Sequence, residues 1–223
     1  SEFKEVAQSR VAQSAPAVTE QARLTEAVAL HQQGRLAEAK KIYEAILQGN
    51  ARQADALHLL GVIEHQTKDH QRAVELITKA IEINPSNAAA YSNRGNALKD
   101  LKQLEAAISD FDRSISLKPD FAPAHNNRGN ALNELKKFDA AVESYGRALS
   151  LKPDYDYLLG TLLHTRMNLC DWQDFESNVL DLAEKIRLKK RKTESADKIN
   201  MRVAKASAEL ATAPLFNAIV VNQ

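Results

Sequence analysis

The chain of 223 residues holds one cysteine, Cys170, so neither an internal disulfide nor a cysteine-based zinc cluster can be built within it, and a reducing cytoplasm is the simplest setting. Aromatic residues make up only 5% of the chain. No apolar run approaches the ~20 residues that span a bilayer, and the opening SEFKEVAQ has no apolar signal core, so no membrane partner is expected. An excess of one charge is missing too: the formal net charge is +1 with 26% charged residues, which leaves no global field to recruit nucleic acid. No glycine-rich phosphate loop and no nucleophile elbow occurs, and Cys170, near Asp171 and His164, has no further support as a thiol nucleophile. The six histidines are scattered. His58 and His65 stand two helical turns apart and can share a face, but no carboxylate at i+4 completes a ligand set. The expectation is a chain with no catalytic residues, no metal and no cofactor.

What is present is order among the few glycines and prolines. Gly61, Gly95 and Gly129 are 34 residues apart, and Ala73, Ala107 and Ala141, then Pro85, Pro119 and Pro153, follow at the same interval. A chain that repeats itself in this way is a stack of like units without the single enclosed pocket of most enzymes. Two units read in full are 88–121 and 122–155, and 54–87 is in phase through Leu57, Gly61, Ala73, Ala80 and Pro85. A looser unit, 20–53, has Ala27 in the glycine's place and Ala51 in the proline's, and 156–189 keeps little more than Trp172. The expected organisation is an N-terminal extension (1–19), four units, a degenerate fifth and a C-terminal segment (190–223).

Inside a unit the apolar residues recur at helical spacing. Tyr91, Leu98 and Leu101 form one run and Ala107, Ile108, Phe111 and Ile115 a second, with a polar break at Lys102 and Gln103. Each unit is therefore two short helices. Gly95 falls in the middle of the first, where glycine costs roughly 1 kcal/mol against alanine. Close approach of the second helix explains it, with Ala107 as the small residue opposite. Pro119 lacks the N–H that a continuing helix needs and ends the second.

Glycine at the eighth place, small residues at the twentieth and twenty-seventh, an aromatic or aliphatic residue at the twenty-fourth and proline at the thirty-second resemble the tetratricopeptide repeat. The resemblance covers 20–155 and, more loosely, 156–189. It implies an all-α, right-handed superhelical solenoid of antiparallel helix pairs whose first helices line a concave groove for a protein or peptide partner.

On the groove side of those helices asparagine recurs. Asn93 and Asn127 occupy equivalent places, Asn96 and Asn130 follow a turn later, and Asn126 and Asn133 add to the fourth unit. Asparagine is a poor interior helix residue, so its recurrence needs a reason. Its amide carries both donor and acceptor and can pair with the backbone of an extended peptide whatever the peptide's side chains. Packed helices lie roughly 8–10 Å apart and an extended chain rises about 3.3 Å per residue, so neighbouring helices would meet the peptide about every third residue. Four such bonds at a net ~1 kcal/mol each reach only about millimolar to micromolar affinity. Specificity falls to other groove residues: His58, His65 and Gln66 in the second unit, Ser92, Lys99 and Asp100 in the third, Glu134 in the fourth.

Another mode of the same family, the clamp on the terminal carboxylate of a chaperone tail, needs cations at set places. Here the fifth places hold His58, Ser92 and Asn126, and Tyr157 and Thr161 stand where later cations belong. Asn96 and Asn127 match only its amide part, so chaperone-tail binding is not expected.

The segment DYDYLLGTLLHTRMNLCDWQDFE (154–176), following NNRGNAL-type repeats, resembles the junction between repeats and catalytic domain in bacterial relatives of protein O-GlcNAc transferase and SPINDLY-type glycosyltransferases. In that family an asparagine ladder holds the acceptor polypeptide. A nucleotide-sugar transferase needs a large doubly wound region, and only about 34 residues follow Lys189, so catalysis is not expected in this chain. Lys185, Arg187, Lys189, Lys190, Arg191 and Lys192 read as a solvated helix end. Beyond them Ile199, Val203, Ala206 and Leu210 form one helical stripe, and LFNAIVV (215–221) is apolar. These suggest a cap on the solenoid's own end or an exchange that makes a homodimer. The leading expectation is a scaffold that binds an extended or helical polypeptide; the acceptor-binding part of a glycosyltransferase and a self-assembling scaffold are the alternatives.

Overall fold

A computed structural model describes residues 19–155 and 157–169, together with 177, 179, 180, 183, 184 and 187. Among the described residues there are nine ordered helical elements and no strand: α1 (Glu20–Gln32), α2 (Leu36–Gly49), α3 (Ala54–Gln66), α4 (His70–Ile83), α5 (Ala88–Asp100), α6 (Leu104–Leu117), α7 (Ala122–Glu134), α8 (Phe138–Leu151) and α9 (Leu158–Asn168). Cys170, Trp172, the basic run apart from Arg187, and residues 190–223 lie outside the described residues, and with them the expected cap or dimer contact.

Helix boundaries follow from local chemistry. Asp69 and Asn87 cap the starts of α4 and α5, their side-chain oxygens accepting from the backbone N–H of Arg72 (3.0 Å) and Ala90 (3.1 Å). The first helix of each pair ends in a left-handed residue, Gly34 (φ 78°), Lys68 (φ 73°), Lys102 (φ 62°) and Lys136 (φ 58°) in turn. The next N–H in each case reaches back five residues, as from Gln103 to the Leu98 carbonyl at 2.9 Å and from Lys137 to Leu132 at 2.9 Å. This closes the orphan carbonyls of the first helix and turns the chain into the second.

Within a pair, the residue at the twenty-fourth place fills the hollow left by the glycine. A methyl built on Gly95 would lie 2.7 Å from Phe111 Cε1, and one on Gly129 would lie 2.5 Å from Tyr145 Cε1. The expectation that Ala107 is the opposing contact is thus corrected: the ring of Phe111 lies against Gly95. In the second pair the backbone carbonyl of Ala73 does come close, 3.2 Å from the built methyl of Gly61, but the Ile77 side chain is nearer at 2.6 Å. Tyr43, Ile77, Phe111 and Tyr145 are fully buried, as are Ala39, Ala73, Ala107 and Ala141. Each large side chain contributes about 1.5–3 kcal/mol by leaving water.

Between pairs, the second helix packs on the first helix of the next pair, and the first helices also meet one another, α3 with α5 and α5 with α7. That meeting places the first helices on the inside of the stack. The result is an all-α helical repeat solenoid, closed at the described C-terminal end by α9 resting on α8.

Candidate functional site

The inner face is built from equivalent turns of α3, α5 and α7, and its side chains bond across the junctions between pairs. His31 Nε2 donates to Gln66 Oε1 at 3.0 Å, and His65 Nε2 donates to Asp100 Oδ2 at 2.9 Å. Lys99 Nζ lies 4.0 Å from Glu134 Oε1. All three pairs are 35 residues apart, so the twelfth place of one unit ties to the thirteenth of the next. Two turns earlier the fifth and sixth places do the same: Asn93 Nδ2 donates to His58 Nε2 at 2.9 Å.

The sequence-chosen residues therefore divide. His58 is buried, and burial lowers its pKa below the ordinary 6.5 against the opposing pull of Asp55. It is held neutral, with Nε2 as acceptor from Asn93. Ser92 is buried rather than open to the groove. Asn93, Asn96, Asn126, Asn127, Asn130 and Asn133 are half-buried. Asn127 Oδ1 accepts from Asn126 Nδ2 at 3.3 Å, Asn130 Oδ1 from the Tyr145 hydroxyl at 3.0 Å, and Asn133 Oδ1 from the Thr165 hydroxyl at 3.5 Å. Burial pushes the Tyr145 hydroxyl up to about 12, which keeps it a donor.

These internal bonds use up one end of several amides and leave the other. Among the described residues nothing else bonds the Asn93 oxygen or the NH₂ groups of Asn127 and Asn130. The face also changes character along its length: the sixth and ninth places are Leu59 and Val62 on α3 but asparagine on α5 and α7. At the rim Lys99 Nζ donates to Asp100 Oδ1 at 3.0 Å and Lys102 Nζ to Glu134 Oε2 at 2.9 Å. Burial works to raise the Asp100 pKa, but hydrogen bonds from Lys99 and His65 outweigh it and hold the carboxyl below its usual range.

Away from the inner face, a hollow of about 600 Å³ lies between α6 and α8, with His125 and Arg128 of α7 in its lining. Four of its polar residues are already engaged: His125 Nε2 donates to the Pro119 carbonyl at 2.9 Å, and Arg128 donates to Asp112 at 2.6 Å and to Ser144 at 2.7 Å.

Models of the tetratricopeptide repeat match residues 24–88, 88–121 and 122–155, more than half of the chain. The chain belongs to the tetratricopeptide repeat family. Over 76 residues it is 36% identical to the UDP-N-acetylglucosamine–peptide N-acetylglucosaminyltransferase of Caenorhabditis elegans, a match covering 34% of this chain and 7% of that protein. Among solved structures it is similar to MamA 41-end from Desulfovibrio magneticus RS-1, with 18% identity, a TM-score of 0.68, and coverage of 80% of this chain and 100% of that one. It is also similar to the first tetratricopeptide domain of Spaghetti (RPAP3) bound to the HSP90 peptide SRMEEVD, with 26% identity, a TM-score of 0.52, and coverage of 54% and 96%.

Two features lie beyond sequence reasoning. The inner-face hydrogen bonds have a signal, polar residues at the twelfth and thirteenth places of the units, but spacing alone does not show that 35 rather than 34 is the bonding interval. His70 carries no signal in the repeat phase. It and His65 flank the turn HQTKDH, and the left-handed Lys68 brings their rings to 5.0 Å.

Proposed function

We propose that the chain is an interaction scaffold whose inner face holds an extended polypeptide, with the asparagines of α5 and α7 pairing with its backbone. The observation that carries this reading is the complementary set of amide ends left by the internal bonds: a free acceptor at Asn93, free donors at Asn127 and Asn130. An extended strand offers N–H and C=O groups in alternation, and can satisfy both kinds. The Leu59 and Val62 end then takes an apolar side chain of the same polypeptide, which adds selectivity that amides cannot give. A peptide-bound tetratricopeptide relative supports the general mode. Its particular peptide is acidic at the end, and the absence of cations at His58, Ser92 and Asn126 argues against the same ligand here.

A second reading, the acceptor-binding portion of an O-GlcNAc-transferase-like protein, is favoured by one observation, the 36% identity to such an enzyme. It concerns the same face and the same asparagines, and the catalytic activity of that relative is not carried over.

The test is a labelled library of extended peptides, screened by fluorescence anisotropy against the wild type and against Asn93→Ala/Asn127→Ala. The double variant is expected to bind the selected peptides more weakly by roughly 1–3 kcal/mol with little change in melting temperature. A library that selects nothing, or a variant that melts early yet binds as before, defeats the reading.

A further inference from the structure

The cluster His65, His70 and Asp100 takes no part in the asparagine pairing proposed above, and it brings together three good metal donors. One ligand atom from each lies within 4.8 Å of the other two. His65 lies at the end of α3, His70 begins α4 and Asp100 ends α5, so the site joins both helices of one pair to the first helix of the next. His65 Nε2 is already 2.9 Å from Asp100 Oδ2, and the two imidazoles are 5.0 Å apart between ring centres. The Nδ1 of His70 is buried and has no hydrogen-bond partner, an arrangement that asks for an explanation.

We propose that these three side chains form a binding site for a divalent transition ion of the zinc class. Tetrahedral zinc with nitrogen and oxygen ligands at about 2.0–2.2 Å needs donors roughly 3.3–3.6 Å apart. That spacing requires the His65–Asp100 contact to open slightly and His70 to draw inward. The other carboxylate oxygen of Asp100 accepts from Lys99 Nζ at 3.0 Å, which fixes the carboxylate's orientation as an outer partner does at known sites. Lys99 is also a neighbouring cation, so the affinity is expected to be modest. Two imidazoles and one carboxylate leave a fourth position for water, or for a carboxylate or imidazole of a bound polypeptide. The ion would pin the junction between the second and third helix pairs. This departs from the sequence expectation of no metal, because His70 and Asp100 are 30 positions apart in the chain and meet only through the fold.

Calorimetric titration of the full chain with Zn²⁺ is expected to show one ion per chain at this site, and Co²⁺ is expected to give the visible band of a tetrahedral centre. His70→Ala and Asp100→Asn should each weaken binding about tenfold or more, whereas His164→Ala should not. Circular dichroism checks that the variants are folded. In the wild type, the ring NMR signals of His65 and His70 should shift together on adding Zn²⁺, a readout that needs no variant. Absence of binding, binding equal in wild type and both site variants, or zinc shifts confined to other histidines would each overturn the proposal.

Discussion

The second and third helix pairs follow one backbone plan and close it with different chemistry. At the seventh place of the first helix and the twenty-third of the unit, the second pair has Leu60 and Leu76, both buried. The third has Arg94 and Asp110 at the same places, joined by two hydrogen bonds of 2.7 Å, with Arg94 also donating to Thr78 at 3.1 Å. The fourth pair keeps the arginine but sets Arg128 against Ser144 and Asp112. One geometry thus accepts either an oily contact or a three-helix polar bridge. The bridge adds direction: a guanidinium fork fits one placement of its partners, while leucines tolerate several.

The sharpest way to test this comparison is to convert one pair into the other. Arg94→Leu leaves Asp110 buried, about 6% exposed, without its cation, and is expected to cost about 3–5 kcal/mol in urea unfolding. Adding Asp110→Leu reproduces the Leu60–Leu76 contact and should recover most of that loss. If the double variant is no better than the single, the two pairs are not interchangeable and the comparison fails.

Two glycines of the fourth pair separate close packing from backbone freedom. Gly129→Ala puts a methyl against the Tyr145 ring and should cost about 1–3 kcal/mol, with Gly129→Leu worse. Gly146, inside α8 with nothing within 4 Å of a built methyl, should instead gain roughly 0.5–1 kcal/mol as alanine. The same response to alanine at both sites in urea would mean that the helix contact has been misplaced.

A smaller effect concerns pH. Folded His58 has a pKa below 6.5, while the unfolded residue titrates near 6.5, so in that window the unfolded state binds more protons. Stability should fall as pH drops through 6.5 toward the folded value. The difference between wild type and His58→Asn should carry that slope; a difference flat from about pH 7.5 to about pH 5 would show that the burial is not felt.

The least effect is expected where the first and later units differ at the turn. Gly34 is left-handed without strain, but Lys136 at the equivalent place is not so free. Lys136→Gly should stabilise by about 0.5–1 kcal/mol, read as a shift in urea midpoint.

The helices and their pairing were legible because glycine, alanine and proline recur in phase, and packing imposes those small or rigid residues directly. Gly95 and Gly129 announced a close contact, but not that a ring would fill it, since the same space takes Ile77 in one unit and Phe111 in another. The inner face was legible in outline. Asn93 and Asn127 lie along it, yet the burial of His58 and Ser92 depends on how one pair leans on the next, which repeat phase does not encode. Asp110 and Arg94 were invisible as partners because charged residues in a helix read as solvated until a neighbouring helix is placed over them.

The ties from His31 to Gln66, His65 to Asp100 and Lys99 to Glu134 each cross a single junction and lie along the same edge. In a repeat stack each unit touches only its neighbours, so such a row places side-chain ties, softer than backbone-bonded helices, in series along one edge. Tension on the two ends would lengthen these side-chain ties before any helix lost a turn, changing the rise of the inner face a little at each junction. A long polypeptide lying across several junctions, as proposed above, would sum those increments, and the stack would then match its pitch to that strand while every helix keeps its form.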